Sequence, residues 1–319
     1  MSATPLTSAP AIRNAQIEQG LGTLSARRLW VWWHLLSLDA PTVAVVWCWF
    51  FAAAFGVSLP PTALVTLALG TWCVYVADRL LDGWRSIDMT HLRDRHWYYL
   101  RHRKPFLIAW MAAALPLAYL ILFRVQPGVR TDDIVLCLIG IGYFLAIHHR
   151  SEGDRFSKEL FVGFLFSIAT GVPTWTRLHA GRGLMVVGIL TFGAACWLNC
   201  VAIQTWEDAE ATRDAAQKTF AAGRRRELRD QQNRAARHAL TDFLGAHLTA
   251  FAVAIGALAL ALATVPAGRV VWPLFIAVAA SSLVFLTLIR RAAQLSALSL
   301  RILADGALLT PLLFLFHVR

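Results

Sequence analysis

The chain has 319 residues, of which 57% are hydrophobic and only 15% are charged. The hydrophobic share is above and the charged share below the average of soluble proteins, so the composition excludes an ordinary soluble domain and indicates an integral membrane protein. The net charge of +11 does not indicate a nucleic acid partner, because the basic residues lie in the loops between apolar runs, as membrane topology requires.

A polar segment precedes the first apolar run and covers residues 1–28. It contains Ser, Thr, Pro and Gln and has no apolar core, so it is predicted to be neither a signal peptide nor a membrane span. We expect a cytosolic arm here, followed by a single membrane helical domain over residues 29–319.

Nine apolar runs follow, each a candidate to cross a hydrocarbon core of about 30 Å. They are Leu35–Phe55, Thr62–Leu81, Pro105–Phe123, Ile134–Ile147, Leu160–Trp175, Leu184–Trp206, Ala239–Val265, Val270–Ile289 and Leu295–Val318. The fourth run has 14 residues and is also compatible with a re-entrant segment, and the fifth contains Gly171 and Pro173. The pattern predicts an all-α, polytopic membrane bundle of about nine transmembrane helices.

The distribution of basic residues predicts the orientation of this bundle. Most of the 30 Lys and Arg residues lie before the first run or in the loops after the even-numbered runs. By the positive-inside rule, the N-terminus and those loops are cytoplasmic and the C-terminus lies outside. The expected location is the cell membrane, with several passes through the lipid bilayer.

Two carboxylates and an arginine stand at the end of the second run, in the segment Tyr75–Gly83. Asp78 and Asp82 are four positions apart, so on a helix they share one face, with about 6 Å between their β-carbons. Two such carboxylates can share a divalent cation. Ionisable groups at membrane depth usually face a polar cavity and mark a site, although a solvated helix end is the alternative. Arg79 either pairs with the two aspartates or contacts phosphate.

A second acidic group closes the sixth run, where Gln204, Glu207 and Asp208 lie within about one helical turn. The predicted topology brings the ends of runs two and six to the same cytoplasmic face. Carboxylates from two helices suit Mg²⁺, which prefers a few carboxylates together with substrate phosphates. The predicted metal ligands are also the predicted catalytic residues: Asp78, Asp82, Glu207 and Asp208.

The segment Ala77–Gly83, at the end of the second of about nine runs, resembles the first aspartate-rich motif of the UbiA-type intramembrane prenyltransferases. The second motif of that family ends span six, where this chain has Gln204–Asp208. Asp39-Ala40-Pro41 is similar to the Asp-x-Pro at the start of span one in several members. The resemblance implies a helical bundle around a central cavity, in which two acidic motifs hold Mg²⁺ and the diphosphate of an isoprenoid donor.

The chain departs from the family pattern at both motifs. Val74 and Tyr75 occupy the positions of an Asn-Asp pair, and Thr205 occupies that of the first acid of the second motif. Fewer carboxylates mean less negative charge around a metal. Weaker metal binding, a changed reaction and a relative without catalysis therefore all stay open.

The predicted substrate-binding residues are aromatic, amide and basic side chains in or near the two motifs and in the loop before the fifth run. They are Tyr75, Arg79, Asn199, Gln204, Arg155 and Lys158. A diphosphate needs basic donors, but the positive-inside rule and anionic lipids explain basic cytoplasmic loops equally well. Tyr75 is a candidate to face a carbocation.

The predicted reaction is ionisation of the allylic diphosphate, followed by transfer of the prenyl group to a lipophilic or aromatic acceptor. Two alternatives share the fold. If the acceptor is the substrate's own double bond, the protein is a membrane terpene cyclase. If there is no turnover, it is a lipid-binding or transport protein, for which charged intramembrane residues are equally suitable.

Two further patterns have their own interpretations. A di-iron oxygenase would use the histidines near the predicted cytoplasmic face, but it needs more of them and gives no role to Asp78 and Asp82. These histidines are His91, His96, His102, His148 and His149. In the ninth run Arg301 and Asp305 are four positions apart, which predicts an intramembrane ion pair.

Overall fold

The computed structural model describes residues 26–85, 101–124, 129–131, 134–135, 138–139, 142, 155–222 and 239–314. Within these ranges every regular element is helical, which confirms the all-helical part of the predicted fold class. Most of the predicted arm, residues 1–28, and most of the predicted fourth span, Ile134–Ile147, lie outside the described residues.

The described ranges contain nine α-helices. They are α1 (Ala26–Leu35), α2 (Asp39–Ala54), α3 (Pro61–Arg85), α4 (Arg103–Tyr119), α5 (Arg155–Trp175), α6 (Arg182–Ala222), α7 (Ala239–Thr264), α8 (Trp272–Arg291) and α9 (Ala297–Ala307). One π-helical turn and three 3₁₀ turns extend or connect them: Leu120–Arg124, Gly268–Val271, Ala292–Gln294 and Thr310–Phe314.

Five helical segments of the described chain are long and apolar enough to cross a membrane. They are Pro61–Leu81, Arg103–Arg124, Arg182–Arg213, Ala246–Thr264 and Gly268–Gln294. The helices α1 and α2 together would make a sixth. The protein is therefore a helical, multi-pass membrane protein by length and composition, but nine spans are not confirmed.

The first and last predicted runs are not straight helices. The break between α1 and α2, which meet at an angle of 93°, falls at the start of the first run, and α2 covers most of the rest of that run. In the last run, α9 ends at Ala307 and the chain continues as a turn and the 3₁₀ segment Thr310–Phe314. An apolar run of sufficient length thus predicts burial or membrane contact, but not a continuous helix.

The core of the bundle forms around α6, which packs against α5, α7, α8 and α9. Trp47 of α2 is fully buried and stacks on Phe192 of α6, with 4.0 Å between ring centroids. Its indole Nε1 donates a hydrogen bond of 2.7 Å to the carbonyl oxygen of Leu308. A buried indole needs such an acceptor, so this contact fixes the end of α9 against α2.

The helices α5 and α6 approach each other closely at Gly163, where an added Cβ would lie 2.6 Å from the backbone nitrogen of Trp197. Because the obstructing atom belongs to the backbone, no side-chain rotation can relieve the clash. We expect Gly163→Ala to lower the free energy of unfolding by about 1–3 kcal/mol, measured by denaturant unfolding in detergent. Gly183→Ala is the control, since a Cβ there meets nothing within 4 Å. Equal stabilities of the two variants would contradict this packing.

Candidate functional site

The break between α1 and α2 is held open by side chains of α3. Ser37, within the break, has a φ of 57°, a left-handed conformation that non-glycine residues rarely adopt. Carbonyls at the end of a helix lack intrahelical partners, and here two of them find donors on α3. Arg79 Nη1 donates to the His34 oxygen at 3.0 Å, and Trp72 Nε1 donates to the Leu36 oxygen at 2.9 Å.

A histidine and an aspartate face each other across the break. His34 Nδ1 lies 2.7 Å from Asp39 Oδ2, and Asp39 Oδ1 accepts a hydrogen bond of 2.9 Å from the Ala40 amide. Asp39 begins α2, where the positive end of the helix dipole favours a carboxylate. Arg79 Nη2 lies 3.9 Å from Asp39 Oδ2, and Arg79 also donates to the Ser37 hydroxyl. The break is therefore a charged, hydrogen-bonded junction.

Asp305 of α9 reaches the same junction. Its Oδ2 atom lies 3.8 Å from His34 Nδ1, and its Oδ1 atom accepts a hydrogen bond of 3.1 Å from Asn199 Nδ2 on α6. Ligand atoms of His34, Asp39 and Asp305 all lie within 4.8 Å of one another, a spacing that one cation can span. We call these three residues the His34 cluster.

The acids at the end of the sixth run are each in contact with another polar side chain. Glu207 forms an ion pair with Arg301 of α9, and Asp208 Oδ1 accepts a hydrogen bond of 2.8 Å from Gln204 Nε2. The ion pair predicted between Arg301 and Asp305 is thus only part of the set of charged contacts around α9. Arg301 acts electrostatically on Asp305, but it forms its ion pair with Glu207 on a different helix.

The residues of the first motif differ in how closely they approach the junction between α1 and α2. Arg79 is only 4% exposed and reaches into the junction. Asp78 is half-buried, and Tyr75 is close enough to Asp39 and Asp305 to interact with both electrostatically. The side chain of Asp82 lies outside the described residues, although its backbone belongs to α3.

Two of the predicted substrate-binding residues, Arg155 and Lys158, lie in the first turns of α5, and their side chains fall outside the described part of the structure. Of the five histidines considered for a di-iron centre, only His102 lies within the described ranges. Of the predicted site residues, the structure brings Arg79, Tyr75 and Asn199 to the junction between α1 and α2. Glu207 is linked to this junction through Arg301.

A small cavity opens beside the His34 cluster. Its volume is about 20 Å³, enough for about one water molecule or ion. It is lined by Trp30, Trp33, His34, Asp39, Val43, Ile302, Asp305, Gly306 and Leu309. The described residues do not confirm a central cavity of isoprenoid size.

The sequence interpretation did not include His34 or Asp305 in the site. His34 stands among interfacial tryptophans, and Asp305 has Arg301 one helical turn away. The one available signal was Asp39-Ala40-Pro41, at a predicted span entrance five residues after His34.

Comparison with known proteins assigns no family to the chain. No protein-family model matches it, and no curated protein or solved structure matches it either.

Proposed function

We propose that the chain is a Mg²⁺-dependent membrane enzyme that ionises an isoprenoid diphosphate and transfers the prenyl group to an acceptor. The sequence resemblance to UbiA-type prenyltransferases supports this function. The supporting structural observation is that one polar network includes a residue from each acidic motif. Arg79 adjoins Asp39 and the His34 cluster, and Arg301, which acts electrostatically on Asp305, pairs with Glu207. Arg79 of the first motif and Glu207 of the second, which are far apart in the sequence, thus take part in one network of contacts.

The donor set fits Mg²⁺, because all of the proposed ligands are carboxylate oxygens. In the proposal Asp78, Asp82 and Asp208 hold the ion, and Glu207 joins them when it exchanges Arg301 for the metal. Bound Mg²⁺ supplies a Lewis acid that stabilises the diphosphate leaving group without proton transfer.

The remaining residues of the site have positioning roles in this proposal. Gln204 donates to Asp208 and so orients that carboxylate. Arg79 is committed to the His34 carbonyl and the Ser37 hydroxyl, which favours a role in holding the helix break over the phosphate contact expected from sequence. The side chains that donate hydrogen bonds to the diphosphate are then those of Arg155 and Lys158, the basic residues at the start of α5.

A second candidate function is transport or lipid binding without catalysis. Broken helices whose ends meet buried charged groups are typical of secondary transporters, and the α1–α2 break has this form, with a 93° bend. The buried Arg79 and the Glu207–Arg301 pair suit either function, because intramembrane ionisable residues occur in both.

The two functions differ in whether the protein consumes an isoprenoid diphosphate. Purified protein would be incubated with geranyl, farnesyl and geranylgeranyl diphosphate and Mg²⁺, with and without a lipid extract as the acceptor source. We expect mass spectrometry to detect a prenylated product that requires both Mg²⁺ and the extract. A terpene hydrocarbon or alcohol formed without the extract would identify a cyclase instead. Folded protein that consumes none of the three diphosphates would contradict an enzymatic function.

A further inference from the structure

Two carboxylate oxygens converge on one imidazole nitrogen at the α1–α2 break. The Oδ2 atoms of Asp39 and Asp305 lie 2.7 Å and 3.8 Å from His34 Nδ1. Ligands held at about 2.0–2.2 Å from one metal ion are separated by such distances. We propose that the His34 cluster binds one divalent transition-metal ion, at a site separate from the Mg²⁺ site proposed above.

Outer hydrogen bonds orient both carboxylates toward this point. Asp39 Oδ1 is occupied by the Ala40 amide and Asp305 Oδ1 by the Asn199 side chain. In each aspartate, one carboxylate oxygen therefore accepts a hydrogen bond from a neighbouring group, and the other oxygen faces His34 Nδ1. Metal ligands are commonly held in this way by a second layer of hydrogen bonds.

Charge gives a further reason for a cation at the cluster. Asp39, Asp305 and Glu207 carry three negative charges when ionised, and the guanidinium groups linked to them, Arg79 and Arg301, carry two. Two carboxylates close to one another in a buried environment repel unless a positive charge lies between them. With His34 neutral, these linked residues have one negative charge in excess, so a cation between the two carboxylates is electrostatically favoured.

Unpaired polar atoms beside the cluster are the independent sign of a ligand. His34 is 3% exposed and Asn199 is 8% exposed, yet His34 Nε2 and Asn199 Oδ1 have no hydrogen-bond partner among the residues that the structure describes. Leaving such a buried group unpaired is destabilising. His34 also lines the cavity of about 20 Å³, which has room for water bound to the ion.

The ligand types indicate which metals suit the site. Imidazole favours zinc and iron, whereas carboxylates favour manganese and magnesium. One imidazole with two carboxylates therefore suits Mn²⁺ or Zn²⁺ better than Mg²⁺. Three protein ligands beside a cavity also leave a coordination position open for water.

The test is Mn²⁺ binding by the full chain in nanodiscs, followed by electron paramagnetic resonance. Asp78→Asn/Asp82→Asn serves as the background, so that the proposed Mg²⁺ site does not contribute. We expect about one bound Mn²⁺ with a ¹⁴N coupling from imidazole, competed by Zn²⁺ and not by millimolar Mg²⁺. In the same background His34→Gln is expected to remove the coupling, and Asp305→Asn to weaken binding at least tenfold. Asn199→Ala is expected to weaken binding by about 10–100-fold.

The control is His179→Gln, which changes an exposed histidine outside the cluster and is expected to leave the coupling unchanged. Absence of the ¹⁴N coupling in the folded background protein would overturn the metal site and indicate that Asp39 and Asp305 share a proton instead. Persistence of the coupling in His34→Gln would also overturn it. Because the Asp78/Asp82 site is removed throughout, neither result depends on whether the protein is a prenyltransferase.

Discussion

Asp78→Asn and Asp82→Asn are each expected to lower the rate of Mg²⁺-dependent diphosphate release by about 10²–10³-fold, the usual loss when a group that stabilises developing charge is removed. The two residues lie four positions apart on α3 and are the first-motif ligands in the proposal. Replacing a carboxylate with an amide keeps the shape but removes the charge that holds Mg²⁺. The measurement is released inorganic diphosphate as a function of Mg²⁺ concentration, with farnesyl diphosphate as substrate.

The matched control is Glu210→Gln, which removes one carboxylate from an exposed position on α6, near the second motif but not among the proposed ligands. We expect the control to keep the wild-type rate and the wild-type Mg²⁺ dependence. Turnover retained by both aspartate variants would rule out Asp78 and Asp82 as the metal site. A loss of rate in the control as large as in the variants would show that the assay reports membrane-protein stability instead.

Arg79→Ala is expected to lower the free energy of unfolding by about 3–5 kcal/mol, the range measured when one partner of a buried ion pair is removed. Arg79 is 4% exposed, donates to the His34 carbonyl and the Ser37 hydroxyl, and lies 3.9 Å from the Asp39 carboxylate. Its removal leaves a buried carboxylate without this cation and a helix end without this donor. Unfolding by denaturant in detergent measures the change.

Two further variants separate the charge from the geometry. Arg79→Lys keeps the charge but loses the forked donors of a guanidinium, so we expect a smaller loss than for Arg79→Ala. Adding Asp39→Asn to Arg79→Ala is expected to recover part of the lost stability, because it neutralises the carboxylate left behind. Arg213→Ala, at an exposed position on α6, is the control and should change stability by less than about 0.5 kcal/mol. A similar effect of Arg79→Ala and Arg213→Ala would contradict the junction.

The helical class of this fold follows directly from the lengths of the apolar runs, but the break at the start of the first run does not. The residues from Leu35 to Leu38 are mostly apolar and include no proline or glycine, so hydropathy continues across the bend. The break depends instead on tertiary contacts, since two carbonyls beside it accept hydrogen bonds from Trp72 and Arg79 of α3. A pattern along one segment carries no information about donors that lie some 40 residues away.

The same reason limits the prediction of the site. Helical spacing alone pairs Arg301 with Asp305, whereas packing of α9 on α6 offers Glu207 as the partner of Arg301 and Asn199 as a donor to Asp305. Helical spacing also could not identify the partners of Arg79, because they lie at the bend between α1 and α2 and not on the helix that carries Arg79. The sequence predicts which segments carry polar groups at membrane depth, and packing of the helices decides which of these groups meet.

The most direct test of the central proposal is an experimental map of the protein in nanodiscs with Mg²⁺ and a farnesyl diphosphate analogue that cannot ionise. We expect the Asp78/Asp82 turn and the Glu207/Asp208 turn on the same side of the membrane, joined by density for Mg²⁺ and the diphosphate. If the two turns lie at opposite membrane faces, or point into lipid with no cleft between them, the proposed catalytic site is wrong.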